Sequence, residues 1–409
     1  MKIAFTTLGC KLNYAETSTW ERGFKAAGWE VVPWSAAADV YLVNTCAVTE
    51  TAEKKSRNYI RRAHKVSQDA KIVVTGCYAE LRKEQLQAME GVWKVFGAKE
   101  KSSLVTEVLE GGASSTVDNA FGAYSSGERT RSFLKVQDGC DNFCAYCTVP
   151  YARGRSRSIP VCEVVRMARE IASKGIKEIV LTGVNTGDYG RGTGESFLDL
   201  LKALNDVDGI ERYRISSIEP NLITEEIVDW IASGTKFCRH FHIPLQSGSD
   251  TLLHKVGRRY DTALFKSRIE YIRRAMEKPG ESSVFFGIDV IVGLPGETEE
   301  LFLETVRFLR EIRPAFIHVF PYSRRPGTRA ATWPDQVQDS IKTERVARLE
   351  ELCKELNQAF TASQSGLPEK VLWESSVKNG KMGGYTGNYI RLERNYDEAL
   401  VNTVQDIYI

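Results

Sequence analysis

Residues 138–150 read DGCDNFCAYCTVP, and this stretch decides how the rest of the chain is read. Cys140, Cys144 and Cys147 follow a Cys-x3-Cys-x2-Cys spacing on one short segment. The residues before them, FLKVQDG (133–139), have the character of a strand. Three thiolates on one loop can hold three irons of a [4Fe–4S] cluster and leave the fourth open. A structural zinc site wants four protein ligands with paired spacing, and no neighbouring Cys or His supplies the fourth.

Working outward, strand and helix signals alternate on both sides of this loop. Upstream, IAFTTL (3–8), VYLVNT (40–45) and KIVVTG (71–76) read as short buried strands, with helical stretches at 15–27 and 50–66. Downstream, strand candidates are KEIVLTGV (177–184), RYRISSI (212–218), HFHIPLQ (240–246), SVFFGIDVIVGL (283–294) and AFIHVFPY (315–322). Helical segments at 161–174, 224–233, 262–277 and 297–312 separate them. Such alternation predicts parallel sheets with crossover helices, and the second series fits a partial (β/α)6 barrel with its functional groups at the strands' C-terminal ends. The Gly/Ser/Ala-rich 111–130 reads as a linker. A charged helix near 338–360 leads to KVLWESSV, GGYTGNYIRLE and ALVNTVQDIYI, short strands that predict a small β-barrel. The expected organisation is therefore α/β multidomain: a Rossmann-like domain at 1–110, a linker at 111–130, a barrel with its trailing helix at 131–362, and a small β-barrel at 363–409.

Composition sets bounds. The 409-residue chain is 42% hydrophobic and 26% charged, as soluble proteins are, and its net charge of +2 means that any nucleic-acid surface must come from local clustering. The N-terminus leads straight into a strand without an apolar h-region, and the longest apolar run, near Val284–Leu294, carries Asp289. A cytoplasmic protein with no membrane span is expected. In such a protein, nine cysteines point to metal ligation or catalysis rather than disulfides. Cys162, Cys238 and Cys353 lack suggestive contexts and are expected to be small buried hydrophobes.

The remaining three cysteines form a second set. Cys10 (TLGCKLN), Cys46 (VNTCAVT) and Cys77 (VTGCYAE) each stand just after a predicted parallel strand. Carboxyl ends of such strands open on one edge of the sheet, so three thiols far apart in sequence can meet there and hold a second open-iron cluster.

Cys-x3-Cys-x2-Cys after the first barrel strand, with Tyr146 before the last Cys, resembles the radical S-adenosylmethionine (SAM) superfamily. Together with TLGCKLN, VNTCAVT, VTGCYA and GCDNFCAYCTVPYARGRSRS, the chain resembles the methylthiotransferase family over essentially its whole length. Residues 44–62 and 148–158 resemble the branch acting on N6-threonylcarbamoyladenosine, the nucleoside 3′ of the anticodon in tRNA. The resemblance implies two [4Fe–4S] clusters, with Cys10, Cys46, Cys77, Cys140, Cys144 and Cys147 as metal ligands and catalytic residues. It also implies two SAM per turnover, one as methyl donor and one as the source of a 5′-deoxyadenosyl radical, and a C-terminal module like the nucleic-acid-binding TRAM domain. Tyr146, Gly183, Asn185, Ser217, Glu219, Gln246 and Gly293 occupy positions where the superfamily contacts SAM. The implied partners are a tRNA anticodon stem-loop and an external one-electron donor such as flavodoxin or ferredoxin, with the chain expected to be a monomer.

Two basic clusters suit phosphate contacts beside the cysteines. Lys54, Arg57 and Arg61 share a helix face with Lys65. Arg153, Arg155 and Arg157 alternate in a segment that reads as extended. The tail is less basic than a nucleic-acid module should be: 365–409 holds five basic residues against six acids. Stacking by Trp373, Tyr385 or Tyr389 is the expected recourse. Alternatives to the main reading are the same chemistry on isopentenyladenosine or on a ribosomal protein, and a non-catalytic iron–sulfur RNA-binding sensor.

Overall fold

The computed structural model describes residues 1–110, 121–127 and 129–409. The first sheet is fully parallel, in the order β2-β1-β3-β4-β5, formed by β1 (Lys2–Thr7), β2 (Glu30–Val32), β3 (Val40–Thr45), β4 (Lys71–Gly76) and β5 (Val92–Val95). Both faces are buried, which is why VYLVNT and KIVVTG are almost continuously apolar. Ile3, Leu42 and Val73 pack with Trp20 and Phe24 of helix α1 (Lys11–Ala26). Ala4, Tyr41, Val43 and Val74 pack with Ile60 of helix α2 (Glu50–Val66) on the opposite face. The Thr49 side chain caps α2 by accepting from Ala52 N. Glu50 and Glu53 in its first turn and His64 and Lys65 in its last complement the helix dipole.

The next sheets form a partial barrel. Its six parallel strands are β7 (Arg131–Lys135), β10 (Glu178–Thr182), β11 (Arg212–Ile215), β12 (His240–Gln246), β13 (Phe285–Val292) and β14 (Phe316–Pro321). Bridges Tyr213↔Phe237 and Ser217↔His242 carry the parallel pairing from β11 to β12. One continuous core lies between these strands and the surrounding helices. The expected linker is only partly free of structure: β6 (Ala123–Tyr124) pairs antiparallel with β7 and extends the sheet edge. Residues 111–120 and 128 of that expectation lie outside the described residues. A two-residue hairpin, β8 (Gln137–Asp138) with β9 (Arg157–Ser158), brackets the Cys140 loop.

After helix Asp339–Ser363, the chain forms an antiparallel sheet ordered β17-β16-β15-β18, from β15 (Pro368–Lys378), β16 (Lys381–Thr386), β17 (Arg391–Asn395) and β18 (Val404–Tyr408). The expected small barrel is thus an open four-stranded sheet among the described residues, with β17 and β18 as its edges. GGYTGNYIRLE is split by a turn in which Tyr389 adopts φ 65°.

This sheet is fastened to the barrel through Glu178, which is fully buried. Glu178 is ion-paired with Arg212, lies 3.2 Å from Arg214 Nε and 3.8 Å from Arg131. The arginines in turn donate to the carbonyls of Lys370, Tyr385, Thr386 and Gly387. Burial alone would raise the Glu178 pKa, but Arg214, Arg212 and Arg131 outweigh it and hold the carboxyl at about 2. A depressed carboxylate contributes stability above its unfolded pKa and loses it as pH falls toward the folded value. We expect on the order of 3 kcal/mol of acid-sensitive stability from this group, lost below about pH 4.5. Acid titration followed by intrinsic fluorescence should show a transition in this range that Glu178→Gln, already destabilised at neutral pH, lacks.

Candidate active site

Two glycines fix the first cysteine set. Gly9 (φ 102°) precedes Cys10, and a Cβ there would lie 2.9 Å from the Cys46 sulfur. Gly76 (φ 100°) precedes Cys77, and a Cβ there would lie 2.3 Å from the Thr45 carbonyl. Both positions therefore demand glycine, for conformation and for space. Because β1, β3 and β4 are neighbours with Thr7↔Asn44 and Thr45↔Gly76 in register, Cys10, Cys46 and Cys77 leave one edge of the sheet side by side. Asn13 ties the edge together by donating to the carbonyls of Leu8 (2.8 Å) and Thr45 (2.9 Å). Burial pushes the Cys46 thiol up to about 11, and its Cys77 and Cys10 neighbours add to the rise.

The second set sits on the loop between β8 and helix Val149–Arg153. Each thiol receives one N–H: Asn142 N to Cys140 Sγ (3.5 Å), Val149 N to Cys147 Sγ (3.4 Å), and Arg258 Nη1 to Cys144 Sγ (3.3 Å). Burial raises Cys140 to about 11 and Cys147 to about 12. A tetrahedral zinc, with Zn–S bonds of about 2.3 Å, draws its thiolates to within about 4 Å of one another. Among the described residues the trio of ligand atoms gathered within 4.8 Å is His242–Asp289–His318, so neither cysteine trio is packed for one zinc. Three thiols at wider spacing, met by N–H donors and backed by buried arginines, fit an anionic polynuclear cluster.

Of the SAM-contact candidates, Gly183 and Ser217 line a cavity of about 1170 Å³ described below. Glu219 is held by Arg258 (2.7 Å) and Asn142 (2.7 Å), which links it to the Cys140 loop. The Asn185 side chain accepts from Glu219 N (3.4 Å), and its backbone N–H donates to Gln137 Oε1 (3.0 Å). Gln246, with φ 70°, sits at the irregularity that ends β12. Tyr146 packs against Ala145, Val256 and Leu294, with its hydroxyl 3.5 Å from Arg258. Gly293 answers to packing: at φ 74° its Cβ would lie 2.3 Å from the Lys342 side chain.

The basic clusters divide. Lys54 and Arg61 are exposed on α2, whereas Arg57 donates to the Tyr78 hydroxyl (2.8 Å). The expected alternation of Arg153, Arg155 and Arg157 does not occur. Arg153 ends a helix, Gly154 turns the chain at φ 79°, and only then does it extend. Arg155 points to solvent beside Asp141 (3.3 Å), and Arg157 donates to the Arg153 carbonyl (2.8 Å). Arg153 is 2% exposed, so the phosphate contact expected of it is corrected to an internal one. It pairs with Asp138 (2.8 Å) and Glu16 (3.2 Å) and donates to Asn13 (2.5 Å). Trp373 is likewise core, donating to Gln405, and Cys162 is exposed rather than buried.

The cavity joins residues legible in the sequence, such as Cys10, Tyr385 and Tyr389, to others that carry no sequence signal of their own. The cavity wall takes Cys10 and Lys11 from the start of α1, Arg131 and Arg214 from barrel strands, and Tyr385 and Tyr389 from the C-terminal sheet. Inside it, His242 Nε2 lies 2.7 Å from Asp289 and Nδ1 lies 3.2 Å from Ser217 Oγ, with His318 alongside at 5.3 Å between ring centroids. Asp289↔His318 and Gly287↔His242 are register neighbours; only that pairing brings the trio together. Arg258, which touches both Cys144 and Glu219, was equally silent in GRRYD.

A profile of the radical SAM superfamily matches residues 134–309, and one described as uncharacterized protein family UPF0004 matches residues 2–97. The radical SAM methyltransferase TsrM from Kitasatospora setae, solved with cobalamin and a [4Fe–4S] cluster, has the same fold. Its TM-score is 0.60 over 81% of this chain and 77% of that one, at 17% identity. Fold and cysteine loop together define a radical SAM enzyme.

Over its full length the chain is 38% identical to the threonylcarbamoyladenosine tRNA methylthiotransferase MtaB of Bacillus subtilis, covering 93% of that protein. It is 37% identical to the protein of the same name from Aquifex aeolicus, covering 96% of this chain and 97% of that one. The tRNA-2-methylthio-N(6)-dimethylallyladenosine synthase of Wolinella succinogenes is 35% identical, over 91% of this chain and 88% of that one. The chain belongs to the radical SAM tRNA methylthiotransferase family, and as a member it works with SAM and [4Fe–4S] clusters. Among the described residues no helix is long and apolar enough to cross a membrane.

Proposed function

We propose that the protein converts N6-threonylcarbamoyladenosine, 3′ of the tRNA anticodon, to its 2-methylthio derivative. In this reading Cys10, Cys46 and Cys77 hold one cluster and Cys140, Cys144 and Cys147 the other. The observation that carries the substrate choice is the charge of the cavity. Lys11, Arg129, Arg131, Arg214 and Arg391 line it against a single acid, Asp289. A threonylcarbamoyl group ends in a carboxylate, whereas an isopentenyl group is apolar and gains nothing from cations.

The C2 hydrogen of adenosine is not acidic, so acid–base side chains alone cannot replace it. Bound SAM and the clusters supply the radical and sulfur-transfer chemistry. The chain's own residues do the rest. The N–H donors on the three loop thiols favour thiolates. Arg258 couples Cys144 to Glu219 and so orients the loop against the ends of β11 and β12. Ser217 and Asp289 hold both ring nitrogens of His242, which fixes an imidazole toward the cavity. Tyr385 and Tyr389, stacked at 4.9 Å with Arg131 over Tyr385, close the wall with aromatic faces.

Exposed Lys54, Arg61 and Arg155 remain the phosphate-contact candidates, and Lys54→Ala/Arg61→Ala should weaken tRNA binding. The slope of log K against log salt should fall by about 1–2, with SAM cleavage in the absence of RNA unchanged. The domain division at 111–130 and 362/363, the external one-electron donor of the flavodoxin or ferredoxin kind, the monomeric state and the cytoplasmic location belong to the same proposal. A competition between two anticodon stem-loops, one carrying threonylcarbamoyladenosine and one isopentenyladenosine, tests the substrate. Methylthiolation confined to the first is expected, and preference for the second refutes the reading.

A further inference from the structure

Lys11 stands out among the cations of the cavity. Arg131 is paired with Glu374 (2.9 Å), Arg214 with Glu178 (3.2 Å), and Arg391 with Glu393 (3.0 Å). Arg129 is exposed and lies over the rings of Tyr14 and Phe133. Lys11 has no hydrogen-bond or ion-pair partner among the described residues, yet it lines the cavity interior. The titratable groups near enough to act on its charge are Tyr389, Arg131, Arg214, Asp289, His240 and His318. Asp289 does not neutralise it, because that carboxylate is taken by His242 at 2.7 Å. Lys11 is exposed to the open cavity, so its ammonium is free to meet an incoming anion, and the two neighbouring arginines add to the attraction.

We infer that Lys11 forms a carboxylate subsite, the anchor for the free carboxylate of the threonylcarbamoyl side chain. The inference rests on the proposed substrate and adds the residue that reads it. Lys11 follows Cys10 directly, so a carboxylate held there is fixed relative to the first cysteine set. Its backbone begins helix α1, whose side chains Asn13 and Glu16 are locked by hydrogen bonds and ion pairs. The ammonium is therefore carried on a rigid base while its four-carbon stem still adjusts to the ligand. A charge-assisted hydrogen bond in such a setting discriminates against an analogue lacking the charge by about tenfold to a hundredfold.

The test uses cluster-loaded wild-type protein, Lys11→Met and Lys11→Arg with two stem-loop RNAs. One carries threonylcarbamoyladenosine and the other its threonine methyl ester, and both affinity and methylthiolation are measured. Wild-type protein should bind the acid about tenfold to a hundredfold more tightly than the ester. Lys11→Met should bind both at the level of the ester, and Lys11→Arg should keep most of the preference. Equal iron content in all three proteins excludes damage to the neighbouring Cys10, and equal RNA-free SAM cleavage excludes damage to the Cys140 set. A Lys11→Met protein that still prefers the acid, or one whose defect appears already in RNA-free SAM cleavage, overturns the subsite. If wild-type protein methylthiolates neither RNA but accepts another nucleoside, the substrate reading itself has failed.

Discussion

Replacing Cys140 with alanine should abolish SAM cleavage and product together, whereas Cys10→Ala should lose the methylthio product while still forming 5′-deoxyadenosine. The two residues belong to separate trios on separate sheets: Cys10 with Cys46 and Cys77 at the ends of three adjacent strands, Cys140 with Cys144 and Cys147 on one loop. Losing one thiolate of three from an already open cluster removes the ligation that holds it. Each variant should therefore lose about half the iron of the wild type. Only Cys10 of the six lines the cavity, in keeping with a place for this set beside the substrate that takes up the sulfur. The assay is parallel chromatography of deoxyadenosine and of digested nucleosides, at a detection limit well below one part in a hundred. Methylthiolation surviving in Cys10→Ala contradicts the division of labour.

The second large effect is expected at Glu16, which lies beneath both cysteine sets. Its carboxylate, on α1, meets Lys101 (2.8 Å), Lys135 (2.8 Å) and Arg153 (3.2 Å), and Asp138 meets Lys135 (2.7 Å) and Arg153 (2.8 Å). All five groups are buried. Two acids against three bases leave one positive charge over, and Arg153 directs it toward Cys77 and Cys10. The surplus suits an anionic cluster. Burial opposes ionisation of Glu16, but Lys101, Lys135 and Arg153 prevail and hold its pKa below the ordinary carboxylate range. Glu16→Gln leaves Asp138 as the one acid against Lys101, Lys135 and Arg153, adding a second uncompensated positive charge in a low-dielectric site, and should cost about 3–5 kcal/mol. Denaturant unfolding measures this directly. The variant should also shed iron from the Cys10 set, because Arg153 positions Asn13 and hence the strand ends. An unchanged unfolding midpoint refutes a structural role for this network.

What could be read from the chain was what carries a pattern. Cys140-x3-Cys144-x2-Cys147 declares itself by spacing, and Cys10, Cys46 and Cys77 by each following a run such as VYLVNT that only a doubly buried parallel strand explains. Arg153 was misplaced because RGRSR alternates like a strand on paper, whereas Pro150 and the preceding residues start a helix that Gly154 ends. Two-residue β6 is too short to show any period, so it passed for linker. His242, Asp289, His318, Arg258 and Lys11 are single residues on different elements. Strand register and a helix start bring them to one cavity, and no local spacing encodes that. In the C-terminal sheet, the long β15 pairs with β16 across an irregularity at Trp373/Val377 and with β18 on its other edge, a break that alternation alone does not foretell.

The most direct test of the account is one incubation. Anaerobically reconstituted protein, SAM and a reductant are given tRNA carrying threonylcarbamoyladenosine unmodified at C2, and the digested nucleosides are weighed by mass spectrometry. A methylthio mass gain on that nucleoside, accompanied by 5′-deoxyadenosine, is the expected result. Deoxyadenosine with the nucleoside left unchanged would contradict it, keeping the radical chemistry but assigning it another substrate.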